Sequence, residues 1–235
     1  MLFRSALSIA ATVQKQKPKE PSGYLLEGNI YATQKAWTNA IAAYRNGLRQ
    51  FASPELAARL HGALLAADKM SDADKHATTW LKEHPKDAAF RMYLGDVATT
   101  RKNYAQAATH YQSALTLQPN NALTLNNLAW ALWQTKSPKA IEYAEKANQI
   151  APNQPAFMDT LAVLLADKGQ NDKAIEMLRS AMKLAPQAAN IQLNLAKVLI
   201  SAGKKTEARQ ELDALTKLGD KFSQQAEVAQ LLKSL

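Results

Sequence analysis

Cysteine is absent from these 235 residues, which excludes disulfides and thiolate-held metals and leaves the compartment unread by redox chemistry. Glycine is scarce, at eight residues, and no Gly-rich phosphate loop or G-x-S-x-G elbow is formed from it. No run reaches the ~18 consecutive apolar residues of a membrane helix. The four histidines, His61, His76, His84 and His110, make no HExxH motif and no other helical pair at ligand spacing. Asp68, Asp72 and Asp74 do cluster, but beside Lys69 and Lys75 they read as a solvated turn rather than an acid/base pair. Neither an enzyme, a cofactor nor a metal site is expected.

Acidic residues are also in deficit, and the formal net charge is +9. The excess is local: residues 1–53 hold 7 Lys and Arg against 2 Asp and Glu, whereas 54–121 hold 8 against 7, 122–188 hold 7 against 6 and 189–235 hold 7 against 5. The clustered bases, Lys15, Lys17 and Lys19, have no interleaved aromatic on which a nucleobase could stack. Nor are bases arrayed once per repeat, so a nucleic-acid partner is disfavoured.

What the chain does have is a period near 34 residues. Residues 88–121 place Leu94-Gly95, Ala98, Ala107, Tyr111, Ala114 and Pro119 at intervals that recur as Leu128-Ala129, Leu132, Ala140, Ala144, Ala147 and Pro152 in 122–154, with one residue fewer in the turn. Residues 155–188 repeat them as Leu161-Ala162, Leu165, Ala174, Leu178, Ala181 and Pro186, and 189–222 as Leu195-Ala196, Leu199, Ala208, Leu212 and Leu215. Weaker copies occupy 21–53 (Tyr24, Gly28, Tyr31, Ala40, Tyr44) and 54–87 (Leu60, Leu64, Ala73, Ala77, Trp80, Pro85). Small residues let two helices cross closely, large apolar ones fill the space beside the crossing, and proline stops the second helix. Gly169 and Gly203 stand where a left-handed residue closes the first helix.

This spacing resembles the tetratricopeptide (TPR) repeat, and predicts an all-α protein, a right-handed α-solenoid of six helical hairpins over 21–222. A capping helix is expected over 223–235, where Ala226, Leu231 and Leu232 form an apolar stripe. Residues 1–20 fit the second helix of a truncated repeat, since Ala6, Ala10, Val13 and Pro18 repeat the spacing of Ala107, Tyr111, Ala114 and Pro119. On that reading the chain is the C-terminal piece of a longer array with an open apolar face at 3–13. The alternative is that Ala6–Val13, following Arg4, is the short apolar core of a signal peptide.

The inner face presented by stacked first helices is the expected binding surface for a protein or peptide segment. Residues flanking each small-residue contact should point into it: Met92, Asp96 and Thr99; Asn126, Asn127, Trp130, Trp133 and Gln134; Asp159, Val163 and Asp167; and Leu193, Asn194 and Lys197. Trp130 and Trp133 either line this groove as aromatic anchors or fill the hairpin interface. His61 takes the small-residue position of its repeat, which points to packing or an interface rather than a ligand role. The clamp that grips acidic chaperone tails needs several groove bases, and these positions offer only Lys197.

Two stretches are more specific. The run from Gln14 through Lys19-Glu20-Pro21-Ser22-Gly23-Tyr24 to Gly28, continuing through Gln34–Trp37 to Ala40, and the run Leu125-Asn126-Asn127-Leu128-Ala129-Trp130 with Ala140–Ala147 and Asp159-Thr160-Leu161, together resemble the TPR-repeat protein of the bacterial PEP-CTERM exopolysaccharide-associated sorting system. That resemblance implies a cell-envelope setting, on the periplasmic side, and a part in exopolysaccharide production or surface-protein sorting. It also implies a lipid-bearing cysteine at the start of the full protein, which these 235 residues do not contain.

Overall fold

The computed structural model describes residues 2–235, and among them the secondary structure is helical throughout. The helices are α1 (Leu2–Gln16), α2 (Ser22–Thr33), α3 (Trp37–Leu48), α4 (Pro54–Ala66), α5 (Met70–Glu83), α6 (Ala88–Thr100) and α7 (Tyr104–Leu117). They continue as α8 (Ala122–Gln134), α9 (Ala140–Ile150), α10 (Pro155–Asp167), α11 (Asn171–Leu184), α12 (Ala189–Ser201), α13 (Lys205–Thr216) and α14 (Gln225–Ser234). The chain divides into two compact units, one ending at Leu94 and one running from Gly95 to Leu235.

Local chemistry sets the helix ends. α5, α7, α9 and α11 stop two residues short of Pro85, Pro119, Pro152 and Pro186. In each case the residue before the proline has left the helical region, with ψ of 65° at His84, 75° at Gln118, 79° at Ala151 and 72° at Ala185. The proline ring excludes the helical conformation of its predecessor. N-termini are capped where the sequence supplies an oxygen: the Ser53 hydroxyl accepts from Leu56 N–H, the Asn103 amide from Gln106 N–H and the Asn121 amide from Thr124 N–H.

The turns share a device that composition alone hides. One residue with positive φ closes the first helix of every hairpin: Lys35 (55°), Asp68 (59°), Lys102 (58°), Lys136 (57°), Gly169 (75°) and Gly203 (74°). Only two of the six are glycine, so four turns hold a side chain in the left-handed region, where Cβ crowds the backbone. Asp72 and Asp74 lie within α5, not in the turn, and only Asp68 is a turn residue.

In the first unit, α2 and α3 pair, α4 packs on α3, and α1 lies along α2. Ala10 of α1 is fully buried and Phe3 meets Tyr31 edge-on at 5.9 Å, while Ile9 is 55% exposed. His61 is buried, its Nδ1 3.0 Å from the Tyr93 hydroxyl and its ring edge-on to Phe90 and Tyr93. Trp80 donates to Asp87 Oδ2 at 2.8 Å, and the other oxygen of Asp87 accepts from Phe90 N–H, so one carboxylate caps α6 and fixes the indole.

In the second unit, α8 pairs with α9, α10 with α11 and α12 with α13, and α10 touches both α8 and α12. Ala129, Ala162, Ala196, Ala144, Ala174 and Ala208 are all fully buried at these crossings. The residue missing from 122–154 falls between Lys136 and Ala140, the stretch that matches Gly169 to Ala174 of the next hairpin. Five residues separate α8 from α9, against three between α10 and α11, and α9 itself is short at 11 residues. Pro138 lies in that turn, and α9 begins at Ala140.

Candidate functional site

Tyr111 belongs to α7, a second helix of its hairpin, yet its hydroxyl reaches the surface lined by first helices. It gets there across Gly95: a Cβ on that residue would lie 2.5 Å from the Tyr111 ring. The phenol then donates to Asp96 Oδ1 at 2.7 Å, and the same oxygen accepts from Asn127 Nδ2 at 3.2 Å. Since the single phenolic proton goes to the carboxylate, Thr99 must donate to the Tyr111 oxygen, 3.1 Å away. Burial first, and then the Asp96 charge, hold the phenol well above its ordinary pKa, against the opposing pull of Thr99 and Asn127, so it stays a donor.

These groups line a cavity of about 280 Å³ that takes Asp96, Thr99, Thr100, Tyr111, Asn126, Asn127, Trp130 and Thr160 from four helices. Asn126 donates weakly to Asn127 Oδ1 at 3.4 Å, and its own Oδ1 is buried without a partner. An unmet buried acceptor costs about 1–3 kcal/mol, more than an ordinary hydrogen bond returns. Five of the residues expected to line the groove therefore do converge: Asp96, Thr99, Asn126, Asn127 and Trp130.

Trp133 turns away from this cavity. Its ring sits 4.8 Å from that of Trp130, packs on the core shared by α10 and α11, and with Gln134 and Asp167 lines a second cavity of about 470 Å³. The five-residue turn after α8 adds Lys136, Ser137 and Pro138 to that wall. Of the paired tryptophans, Trp130 lines the first cavity and Trp133 packs on the core.

Further along, Asp159 accepts from Asn194 Nδ2 at both oxygens, 2.9 and 3.0 Å. Burial pushes its carboxyl up to about 6, although the Asn194 bond and the Lys197 charge pull it back. Lys197 is itself committed, 2.7 Å from Glu227 on α14. Leu193 corrects the sequence expectation: it is 1% exposed, in a core cluster with Leu212, Phe222 and Val228. The segment after α13 folds back over α12 and covers the position. Val163 is half-buried, and Met92 lies in the other unit.

A second recess went unmarked by the sequence reading. In the first unit, Asn29, Thr33, Trp37, Tyr44, Glu55, Arg59 and Tyr93 help line a cavity of about 660 Å³. Tyr44 lies over Gly28 and donates to Asn29 Oδ1 at 2.8 Å. That repeats the arrangement of Tyr111, Gly95 and Asp96, and the signal was the shared 16-residue interval from glycine to tyrosine.

Family models described as tetratricopeptide repeat match residues 63–122, 103–155 and 165–235. The chain is a tetratricopeptide-repeat protein. A curated relative, a TPR repeat-containing protein of Pseudomonas aeruginosa, is 27% identical over 128 residues, an alignment covering 51% of this chain and 21% of the relative. The TPR chain described here thus matches about a fifth of that longer protein.

Solved structures share its fold. The APC/C hetero-tetramer Cut9–Hcn1 matches 98% of this chain and 46% of its own with a TM-score of 0.71 at 16% identity. Pseudomonas aeruginosa pilF matches 85% and 91%, with a TM-score of 0.67 at 22% identity. YrrB, described as a TPR protein with an unusual peptide-binding site, matches 82% and 98%, with a TM-score of 0.60 at 17% identity. Among the described residues no helix is long and apolar enough to cross a membrane, and no group of three or more His, Asp or Glu is placed to hold a metal.

Proposed function

We propose that this chain is a non-enzymatic scaffold that holds a segment of a partner protein against the first-helix face of its second unit. The observation that carries the reading is the convergence of Asp96, Thr99, Asn126, Asn127 and Trp130, from two first helices, on one solvent-open cavity. Polar side chains are held there by one another, so their hydrogen-bonding directions are set before a ligand arrives, which reduces the ordering cost of binding. Amides and an indole beside a groove suit an extended backbone with one anchoring side chain. TPR proteins bind protein or peptide partners, which supports the assignment.

The remaining groove positions, Gln134, Asp159, Val163, Asp167, Asn194 and Lys197, would extend the contact along α8, α10 and α12. Selection of displayed random peptides on the full chain tests the proposal. Selected peptides should lose about ten-fold or more in affinity when Asn127→Ala or Trp130→Ala is introduced without loss of Tm. Peptides indifferent to both substitutions would refute it.

The finer placement, in a bacterial cell-envelope assembly for exopolysaccharide production or protein sorting, rests on the sequence resemblance alone. Residence of the protein in the periplasmic fraction, and neighbouring genes for polymer synthesis or sorting, would support it. A cytosolic location would remove it. A second reading, a regulatory or targeting module of a larger enzyme, is favoured by one observation, the small share of the curated relative that this chain matches. A catalytic domain elsewhere in the full-length sequence would establish that reading.

A further inference from the structure

We infer that the cavity lined by α6, α7, α8 and α10 accepts a planar cation, the guanidinium of a partner arginine. This rests on the peptide-binding reading above and adds the chemistry of the side chain that fills the site. Four hydroxyls line the cavity, and each has already given its hydrogen to the protein: Tyr111 to Asp96 Oδ1, Thr99 to Tyr111, Thr100 to the Asp96 carbonyl and Thr160 to the Ala156 carbonyl. A hydroxyl so committed offers a ligand only lone pairs.

Asn126 and Asn127 each keep a second amide N–H and Trp130 its indole N–H, so charge and open oxygens decide the preference. Both donors to Asp96 share Oδ1, which leaves Oδ2 of this exposed carboxylate open. Asn126, 9% exposed, adds an oxygen with no partner. Trp130 is also in the lining, and indole is the ring on which a guanidinium stacks best. Lys197, the base among the expected groove residues, is held by Glu227 and does not neutralise Asp96. An acceptor-rich recess with a full negative charge repels carboxylate and phosphate, and favours a flat group carrying several N–H donors. At about 280 Å³ the cavity is below the ~300–1,000 Å³ of small-molecule pockets and suits a single side chain.

The first unit supplies an internal control. There the same glycine–tyrosine arrangement is built with neutral Asn29 in place of the aspartate. The fold therefore accommodates an amide at this position, and Asp96→Asn removes the charge while keeping an acceptor for Tyr111 and Asn127.

The test uses peptides selected on the full chain and the Asp96→Asn variant, whose Tm should match the parent. Peptides that lose binding on Asn127→Ala should carry arginine, and replacing it by the neutral isostere citrulline should weaken binding by about ten-fold or more. In Asp96→Asn that penalty should shrink to about two-fold. Groove-binding peptides without arginine, equal binding of lysine and arginine versions, or a citrulline penalty unchanged in Asp96→Asn would each overturn the inference while leaving the groove reading intact. Peptides insensitive to Asn127→Ala and Trp130→Ala would overturn both.

Discussion

The Tyr111 ring occupies the space a side chain on Gly95 would fill, so that the second helix of a hairpin delivers a hydroxyl to the face of the first. Two later hairpins keep the same order with a residue larger than glycine on the first helix and one smaller than tyrosine on the second, Ala162 and Leu178 in one buried cluster and Ala196 and Leu212 in another. Volume is exchanged between the two positions, small against large, and the crossing stays close-packed in both solutions.

Gly95→Ala should therefore destabilise the second unit by about 1–3 kcal/mol through overpacking. Adding Tyr111→Leu should recover much of the loss, because it recreates the alanine–leucine pairing found twice downstream. Chemical denaturation of the two single variants and the double variant measures the coupling, and strict additivity would contradict this account of the crossing.

The turns give a second expectation. Lys102 and Lys136 hold φ at 58° and 57°, at positions equivalent to Gly169 and Gly203. Lys102→Gly and Lys136→Gly should each change stability by about +0.5 to +1 kcal/mol, the relief of left-handed strain exceeding the added freedom of the unfolded chain. Gly169→Ala should cost about 1 kcal/mol although open space surrounds it. Thermal melts of the three variants test the signs.

Much of this architecture was legible in the sequence, because proline stops and small-residue crossings act locally and recur with the helical hairpin. The lining of the cavity at Asp96 was legible only in part. Counting positions from the crossing located Asp96, Thr99, Asn127 and Trp130, which depends on helix geometry alone. It failed at Leu193, where a later segment covers the helix. It also missed Tyr111 and Thr160, since a tyrosine on a second helix reads as packing unless the glycine opposite is recognised as a passage for its ring.

Asp159 makes stability depend on pH. Its folded pKa, about 6, lies above the ordinary 3.8, so the folded state binds the proton more tightly. The contribution is fully present below about 3.8 and is lost as pH rises through about 6. The gap corresponds to roughly 3 kcal/mol. Relative to Asp159→Asn, the parent protein should gain stability as pH falls from 7 to 4. His76 acts in the opposite sense: burial first, against its bond to the Ala57 carbonyl, lowers its pKa, so acidification below about 6.5 costs stability. Comparing Asp159→Asn with its parent across pH cancels that term.

The tryptophan pair separates stability from binding. Trp133→Ala removes a ring packed on the α10–α11 core and should lower stability by about 3 kcal/mol. Trp130→Ala should cost less stability and more peptide affinity. Equal losses in both properties for both variants would remove the distinction.

The most direct test is amide hydrogen exchange of the full chain with and without a saturating selected peptide. Slowed exchange confined to α8 and the Asp96–Thr100 end of α6, spreading into α10, is the expected result. Protection confined instead to the second helices α7, α9 and α11 would contradict the account.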